Sequence, residues 1–306
     1  MKSDVNEYYE RIFWSVLVVI DISFLRELGR FDLVIRKRVT SSFIGERAAP
    51  FTGRGLIFKD YSIYTPGDDI RRIDWKVFAR TDKLFVRRFE EERNLTVHII
   101  IDSSGSMDFG TRQFKKFEYA AMLGLGFAHV ALKENERFVL STFSEGVELF
   151  KPKKGKKNLI AAYDYLNRKQ PVGAASFPKS MAQYRKLIDS RSLVILISDF
   201  LYPLDQIKTA IYQFKEHEVK VVQVLDPLEK ELNIEGDFKL SDVETKQQLR
   251  TYVSPSFRKK YIDDLEAHTA AVQKACAEIG ARFYSFSSGT PIFDSFYRMM
   301  SERVIA

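Results

Sequence analysis

"LTVHIIIDSSGSMDFG", Leu95 to Gly110, runs from an apolar stretch into a cluster holding one carboxylate, three serine hydroxyls and a second carboxylate between Asp102 and Asp108. A short run rich in Val and Ile that stops at polar residues and Gly reads as a strand, here Leu95 to Ile101. From this point the chain alternates such runs with segments at helical period. Further strands are predicted at Arg137 to Phe143, Leu193 to Ile197, Val219 to Leu225 and Arg282 to Phe286. Helices are predicted at Phe114 to Lys133, Asn158 to Arg168, Lys179 to Asp189, Leu204 to Glu216, Phe257 to Ile279 and Ile292 to Arg303. Strands that read as apolar throughout and alternate with helices imply a parallel sheet covered on both faces. The fold class is therefore α/β, a doubly wound, mainly parallel sheet.

Upstream of Leu95 the alternation is lost, and Pro50, Gly53, Gly55, Pro66 and Gly67 cut the chain into short pieces. Residues 1–93 are expected to form a smaller, strand-rich N-terminal module, and residues 94–306 the α/β domain. Within the module Pro66-Gly67 suits a type II turn, and Asp68 or Asp69 can cap a helix carrying Ile70, Ile73, Val77 and Phe78 on one face. Leu84 to Glu90 then alternates as a strand. Inside the larger domain, Gly236 to Val253 alternates polar and apolar residues and is expected to form a hairpin insertion.

The composition of the 306 residues, 45% hydrophobic and 29% charged, is that of a globular chain and not of a disordered one. The single cysteine, Cys276, cannot form an intramolecular disulfide and sits in a helical pattern, which points to a reducing, cytoplasmic setting. Four scattered histidines lack zinc-ligand spacing. The most apolar stretch, Ile12 to Ile20, is shorter than the roughly 20 residues a membrane helix needs. Nor is it preceded by the basic residues of a secretory signal. The net charge of +7 and the run Lys151 to Lys157 raise the possibility of a nucleic-acid partner. That run sits at a Pro and Gly turn, has no interleaved aromatic residues, and reads more simply as a solvated loop.

Asp102 closes the first strand of the predicted sheet, where ligands of open α/β sheets bind. The spacing Asp102-x-Ser104-x-Ser106 offers a carboxylate and two hydroxyls from a tight loop, all hard oxygen donors suited to Mg²⁺ or Mn²⁺. Asp199, two residues beyond the strand Leu193 to Ile197, is the candidate second carboxylate. Each residue alone would be explained by helix capping. Their joint placement at two strand ends is what suggests a site.

These residues resemble the metal-ion-dependent adhesion site of von Willebrand factor type A domains, with Asp102, Ser104, Ser106 and Asp199 in the matching places. The segment Tyr64-x-Pro66-Gly67-Asp68-Asp69-x-Arg71-x-Ile73-Asp74-Trp75, followed by Ala79-Arg80, resembles the hallmark of the domain of unknown function 58 family, whose members join it to a type A-like domain. The resemblance runs from about Gly53 to the end of the chain. Relatives usually place a threonine in a Gly-Gly-Thr loop between the two aspartates; here the stretch is Pro171-Val172-Gly173-Ala174-Ala175-Ser176, with Ala175 at that place and Ser176 the nearest hydroxyl. Many relatives also carry transmembrane helices before the hallmark, and none is predicted here.

The resemblance implies a non-catalytic module that binds a protein partner through a metal-held carboxylate, beside a MoxR-type AAA+ ATPase or its client. Against it stand an Mg²⁺-dependent hydrolase or phosphotransferase with Asp102 as nucleophile, and a nucleic-acid protein using Lys151 to Lys157. No glycine-rich nucleotide loop is present to make the chain itself an ATPase. The hallmark residues Asp68, Asp69, Arg71, Asp74, Trp75 and Arg80 are expected to form either an ion-pair network between the two modules or a second partner surface.

Overall fold

In the computed structural model, which describes residues 24, 27, 28, 57–90, 96–150, 157–241 and 248–301, the chain divides into two compact units. One is Thr40–Asn94; the other joins Met1–Val39 to Leu95–Ala306. The apolar stretch Ile12 to Ile20 and most of the lysine run at 151–157 lie outside the described residues.

In the smaller unit β1 (Ile57–Ile63) pairs antiparallel with β2 (Phe85–Glu90). The turn between them is closed by the amide of Asp68 donating to the carbonyl of Thr65 at 3.0 Å, with Gly67 at φ +115°. That positive φ is what a type II turn asks of its third residue, and Gly supplies it without strain. The single helix predicted after the turn is instead two pieces, a 3₁₀ turn at Ile70–Arg72 and helix α1 (Trp75–Thr81). Asp74 makes the break. Its side chain accepts from the amides of Lys76 and Val77, so it starts a helix where the hydrophobic spacing alone would continue one. Ile73 at the break is buried and bridges to Val86 of β2.

In the larger unit six strands form one sheet: β3 (Thr96–Asp102), β4 (Arg137–Phe143), β5 (Val147–Phe150), β6 (Leu193–Ser198), β7 (Glu218–Leu225) and β10 (Arg282–Ser287). Their spatial order is β10-β7-β6-β3-β4-β5, and every pairing is parallel except that of β4 with β5. A separate antiparallel hairpin, β8 (Gly236–Ser241) with β9 (Gln248–Val253), is the predicted insertion. The helices are α2 (Lys116–Lys133), α3 (Lys157–Arg168), α4 (Phe177–Arg185), α5 (Leu204–Tyr212), α6 (Pro227–Glu231), α7 (Pro255–Glu278) and α8 (Ile292–Ser301).

Both faces of the sheet are covered, and the alternation along β3 shows how. Val97, Ile99 and Ile101 pack in the cluster containing α2, α3 and α8, whereas Ile100 packs in the cluster containing α4, α5 and α7. Two buried faces leave little room for a polar alternation, which is why Ile99 to Ile101 and Leu193 to Ile197 read as continuous apolar runs, with His98, Lys220 and Gln223 among the buried polar exceptions. Phe24 and Leu28, placed by the sequence in the N-terminal module, pack in the first of these clusters, Phe24 against Phe293 at 5.9 Å between ring centroids. Cys276 is buried in the second cluster, and burial pushes its thiol up to about 12, which keeps it protonated and inert. Among the described residues no helix is long and apolar enough to cross a membrane.

Helix α2 lies close over the sheet because small residues face it. A Cβ at Gly124 would come within 2.6 Å of Ile101 Cδ1, and one at Gly126 within 1.7 Å of the Phe296 ring of α8. Gly126→Ala gains helix propensity yet is expected to destabilise the unit by about 1–3 kcal/mol, because the buried Phe296 has nowhere to go. Urea unfolding measures this. A double variant with Phe296→Leu that costs less than the sum of the two single changes would locate the clash.

Candidate functional site

The sheet reverses its direction of growth at β3: the chain moves from β3 to β4 on one side and later returns to β6 on the other. The loop after β3 leads to α2 on one face, and the loop after β6 leads to α5 on the opposite face. The carboxyl ends of β3 and β6 therefore flank the topological switch point, the position at which open α/β sheets form a crevice. Asp102 is the last residue of β3, and Asp199 directly follows β6.

Asp102 is completely buried. Its Oδ1 accepts from the amide of Ser104 at 2.9 Å, and its Oδ2 accepts from Ser198 Oγ at 2.7 Å and Tyr202 OH at 2.6 Å. All three donors are neutral. Burial, reinforced by the negative charge of Asp199, pushes its carboxyl up to about 6, and the three hydrogen bonds only partly offset this. Ser104 Oγ and Ser106 Oγ face each other at 3.1 Å. Tyr202 stacks on Phe177 with ring centroids 5.1 Å apart, and burial together with the Asp102 charge raises its pKa, so the phenol remains a donor.

Asp199 has a charged partner that the sequence did not reveal. Lys116 Nζ donates to Asp199 Oδ2 at 2.9 Å and to Glu229 Oε1 at 2.7 Å, and the lysine side chain is wholly buried. Burial alone would lower the lysine pKa, but the two carboxylates outweigh it and hold the ammonium above its usual value. The loop carrying Asp199 is tightly fixed. Gln223 Nε2 donates to the carbonyl of Asp199 at 3.0 Å, and Phe200 is held buried at φ +51°, a left-handed conformation costly for a non-glycine residue.

The loop at 172–175 runs beside the serine cluster: the amide of Gly105 donates to the carbonyl of Gly173 at 2.8 Å, and the amide of Val172 to the carbonyl of Ser103 at 3.0 Å. Ala175 from this loop is half-buried against the core, and Ser176 is exposed at the head of α4 with no side-chain capping bond. Asp108, the second carboxylate of the opening cluster, is exposed and paired with Lys115 Nζ at 2.9 Å.

In the smaller unit the hallmark residues make the following contacts among the described residues. Asp68 accepts from the amide and hydroxyl of Thr65, both at 3.0 Å, and Asp69 caps the 3₁₀ turn through the amide of Arg71. Asp74, beyond its cap bonds, accepts from Tyr61 OH at 2.8 Å and from Arg87 Nη2 at 2.8 Å. The Arg87 guanidinium, followed by the Tyr61 hydroxyl, holds the Asp74 carboxyl well below the usual carboxylate range. Trp75, Arg71 and Arg80 are exposed, and the two arginines form no ion pair among the described residues.

A divalent cation can be tested against this donor set. Adjacent ligands of an octahedral ion with bonds near 2.1 Å lie about 3.0 Å apart, close to the 3.1 Å between Ser104 Oγ and Ser106 Oγ. Asp102 Oδ1 accepts a single hydrogen bond and keeps a lone pair, whereas Oδ2 is filled by two donors. Asp102, Ser104 and Ser106 are the donors that would be offered to Mg²⁺ or Mn²⁺, with the two hydroxyls hydrogen-bonded to each other here, and Asp199 is engaged by Lys116. Among the described residues no group of three His, Cys, Asp or Glu side chains is placed to hold a metal, so hydroxyl donors would be indispensable.

The chain is similar to several known proteins. The family model described as "Protein of unknown function DUF58" matches residues 60–271. "Uncharacterized protein Rv1480" of Mycobacterium tuberculosis (strain ATCC 25618 / H37Rv) is 25% identical over 280 residues, covering 90% of this chain and 88% of that protein. Among solved structures, the conserved hypothetical protein BatB from Bacteroides thetaiotaomicron is similar at a TM-score of 0.40 and 14% identity, over 69% of this chain and 100% of that one. The SpRpn10 VWA domain is similar at a TM-score of 0.41 and 13% identity, over 67% and 94%.

Proposed function

From the premise that the chain belongs to the DUF58 family, with a type A-like α/β domain, we propose that it is a non-catalytic protein-binding module whose carboxyl edge uses a divalent cation to hold an acidic side chain of a partner. The observation that carries this reading is the hydroxyl pair of Ser104 and Ser106, 3.1 Å apart beside the Asp102 carboxylate at the switch point of the sheet. A cation held there supplies positive charge that a partner carboxylate can meet. The chain's own residues prepare the place: Ser198, Tyr202 and the amide of Ser104 orient Asp102, and the fixed loop after β6 keeps Tyr202 in position. We place the chain in the cytoplasm, on the support of its single, buried thiol. The partner we propose is a MoxR-type AAA+ ATPase or its client, which rests on the family resemblance.

The enzyme alternative asks Asp102 to act as nucleophile. Its complete burial and the two hydrogen bonds on Oδ2 speak against attack from that oxygen, and the lysine that could have faced a phosphate is committed to Asp199 and Glu229.

Calorimetric titration with Mn²⁺ tests the reading. Wild type is expected to bind weakly, in about the 10⁻⁴–10⁻³ M range of sites with little ligand charge, and Ser104→Ala with Ser106→Ala to abolish the heat while the fold persists. Unchanged binding in that double variant would place any metal elsewhere. Capture of the native partner should fall on chelation in wild type and be indifferent to chelation in the double variant.

A further inference from the structure

Three carboxylates and one ammonium form a charge cluster at the carboxyl edge, Asp102, Asp199 and Glu229 with Lys116, while a further buried carboxylate there, Asp226, is held by the amide and hydroxyl of Thr111. The ammonium is not shared evenly. Lys116 Nζ bonds Asp199 and Glu229 at 2.9 and 2.7 Å, while Asp102 receives only the neutral Ser104 amide, Ser198 hydroxyl and Tyr202 phenol. One nitrogen thereby ties together the first residue of α2, the loop after β6 and helix α6. Its burial makes the arrangement hard to escape, since a charge withdrawn from water is stable only while it keeps its partners.

Building on the function proposed above, we propose that Lys116 sets the composition of the cation site. By holding Asp199 in an ion pair it withholds the second strand-end carboxylate, so that a divalent cation is left with Asp102 and neutral hydroxyls. Cation affinity in oxygen sites rises with the number of charged ligands, and an ion already neutralised by two carboxylates has less charge left for a third. Lys116 therefore exchanges affinity for the metal against affinity for an acidic partner. It acts through Asp199 and is a positioning residue.

The test separates the availability of Asp199 from the overall charge. The wild-type cluster of three carboxylates and one ammonium sums to −2, and Lys116→Met with Glu229→Gln leaves two carboxylates, also −2. In the full chain, with near-ultraviolet circular dichroism confirming the fold, this double variant is expected to bind Mn²⁺ at least about tenfold more tightly than wild type in calorimetry, on the scale by which outer partners tune metal sites. Adding Asp199→Asn should return the affinity to the wild-type value. If the methionine variant does not fold, Lys116→Gln with Glu229→Gln keeps an N–H donor for Asp199 without the charge and carries the same expectation. Equal affinity in wild type and double variant overturns the role of Lys116 and leaves the metal-binding function standing. Heat from neither protein overturns both. Heat from the double variant alone supports the role of Lys116 and removes metal dependence from the natural chain.

Discussion

Lys116→Ala is expected to destabilise the larger unit by about 3–5 kcal/mol, a large share of the stability of a typical domain. The loss is not chiefly that of two attractive contacts. With the ammonium gone, Asp199, whose side chain is 2% exposed, and Glu229, 19% exposed, remain with negative charge and no counter-ion. Nearby Asp102 already ionises with difficulty, so the added repulsion falls on a site with no slack. Urea unfolding at neutral pH measures the effect. The triple variant Lys116→Met, Asp199→Asn, Glu229→Gln removes both charges along with the lysine and should recover most of the loss, since neutral groups of similar shape escape the penalty. If the single and triple variants are equally unstable, the lysine contributes through packing and not through charge.

The second large effect is one of pH and lies at the other end of β3. His98 is buried, and its Nδ1 is hydrogen-bonded to Tyr184 OH at 2.9 Å. Burial, followed by the charge of His217 and opposed by Asp189, lowers its pKa to about 4 from the ordinary 6.5. The folded state thus keeps the imidazole neutral, whereas the unfolded chain takes up a proton below pH 6.5. Between about pH 6.5 and 4 the unfolded state binds more protons, so stability is present above 6.5 and is lost as the pH falls toward 4, by at most about 3 kcal/mol from this group. His98→Asn, which offers Tyr184 an acceptor but cannot titrate, should unfold with a shallower acid dependence than wild type. Parallel curves for the two proteins would assign the acid sensitivity to other groups.

Three things were legible from residues alone: the α/β class, the order of its strands along the chain and the cluster at Asp102. Each rests on local rules. Strands buried on both faces are largely apolar, helices between them carry an apolar stripe, and a strand end in such a fold is where polar residues accumulate. Local rules also explain one error. The spacing of Ile70, Ile73, Val77 and Phe78 describes one helix, but Asp74 is a better helix start than a helix interior, and its carboxylate is further secured by Arg87 and Tyr61, each 13 positions away in sequence.

What decides the chemistry of the site came only with the tertiary structure. Lys116 looks like any residue opening an amphipathic helix, and Glu229 lies 113 positions further on in a five-residue helix; nothing in either neighbourhood marks them as partners of Asp199. Tyr202 and Ser198 likewise become donors to Asp102 only because β6 lies beside β3, 96 to 100 positions distant in the chain. Sequence determines which groups are present and which strands and helices they ride on, through short-range backbone and periodicity effects. Which carboxylate receives a charge and which receives neutral hydrogen bonds depends on contacts between elements brought together by burial of apolar surface, and that pairing is a property of the folded chain alone.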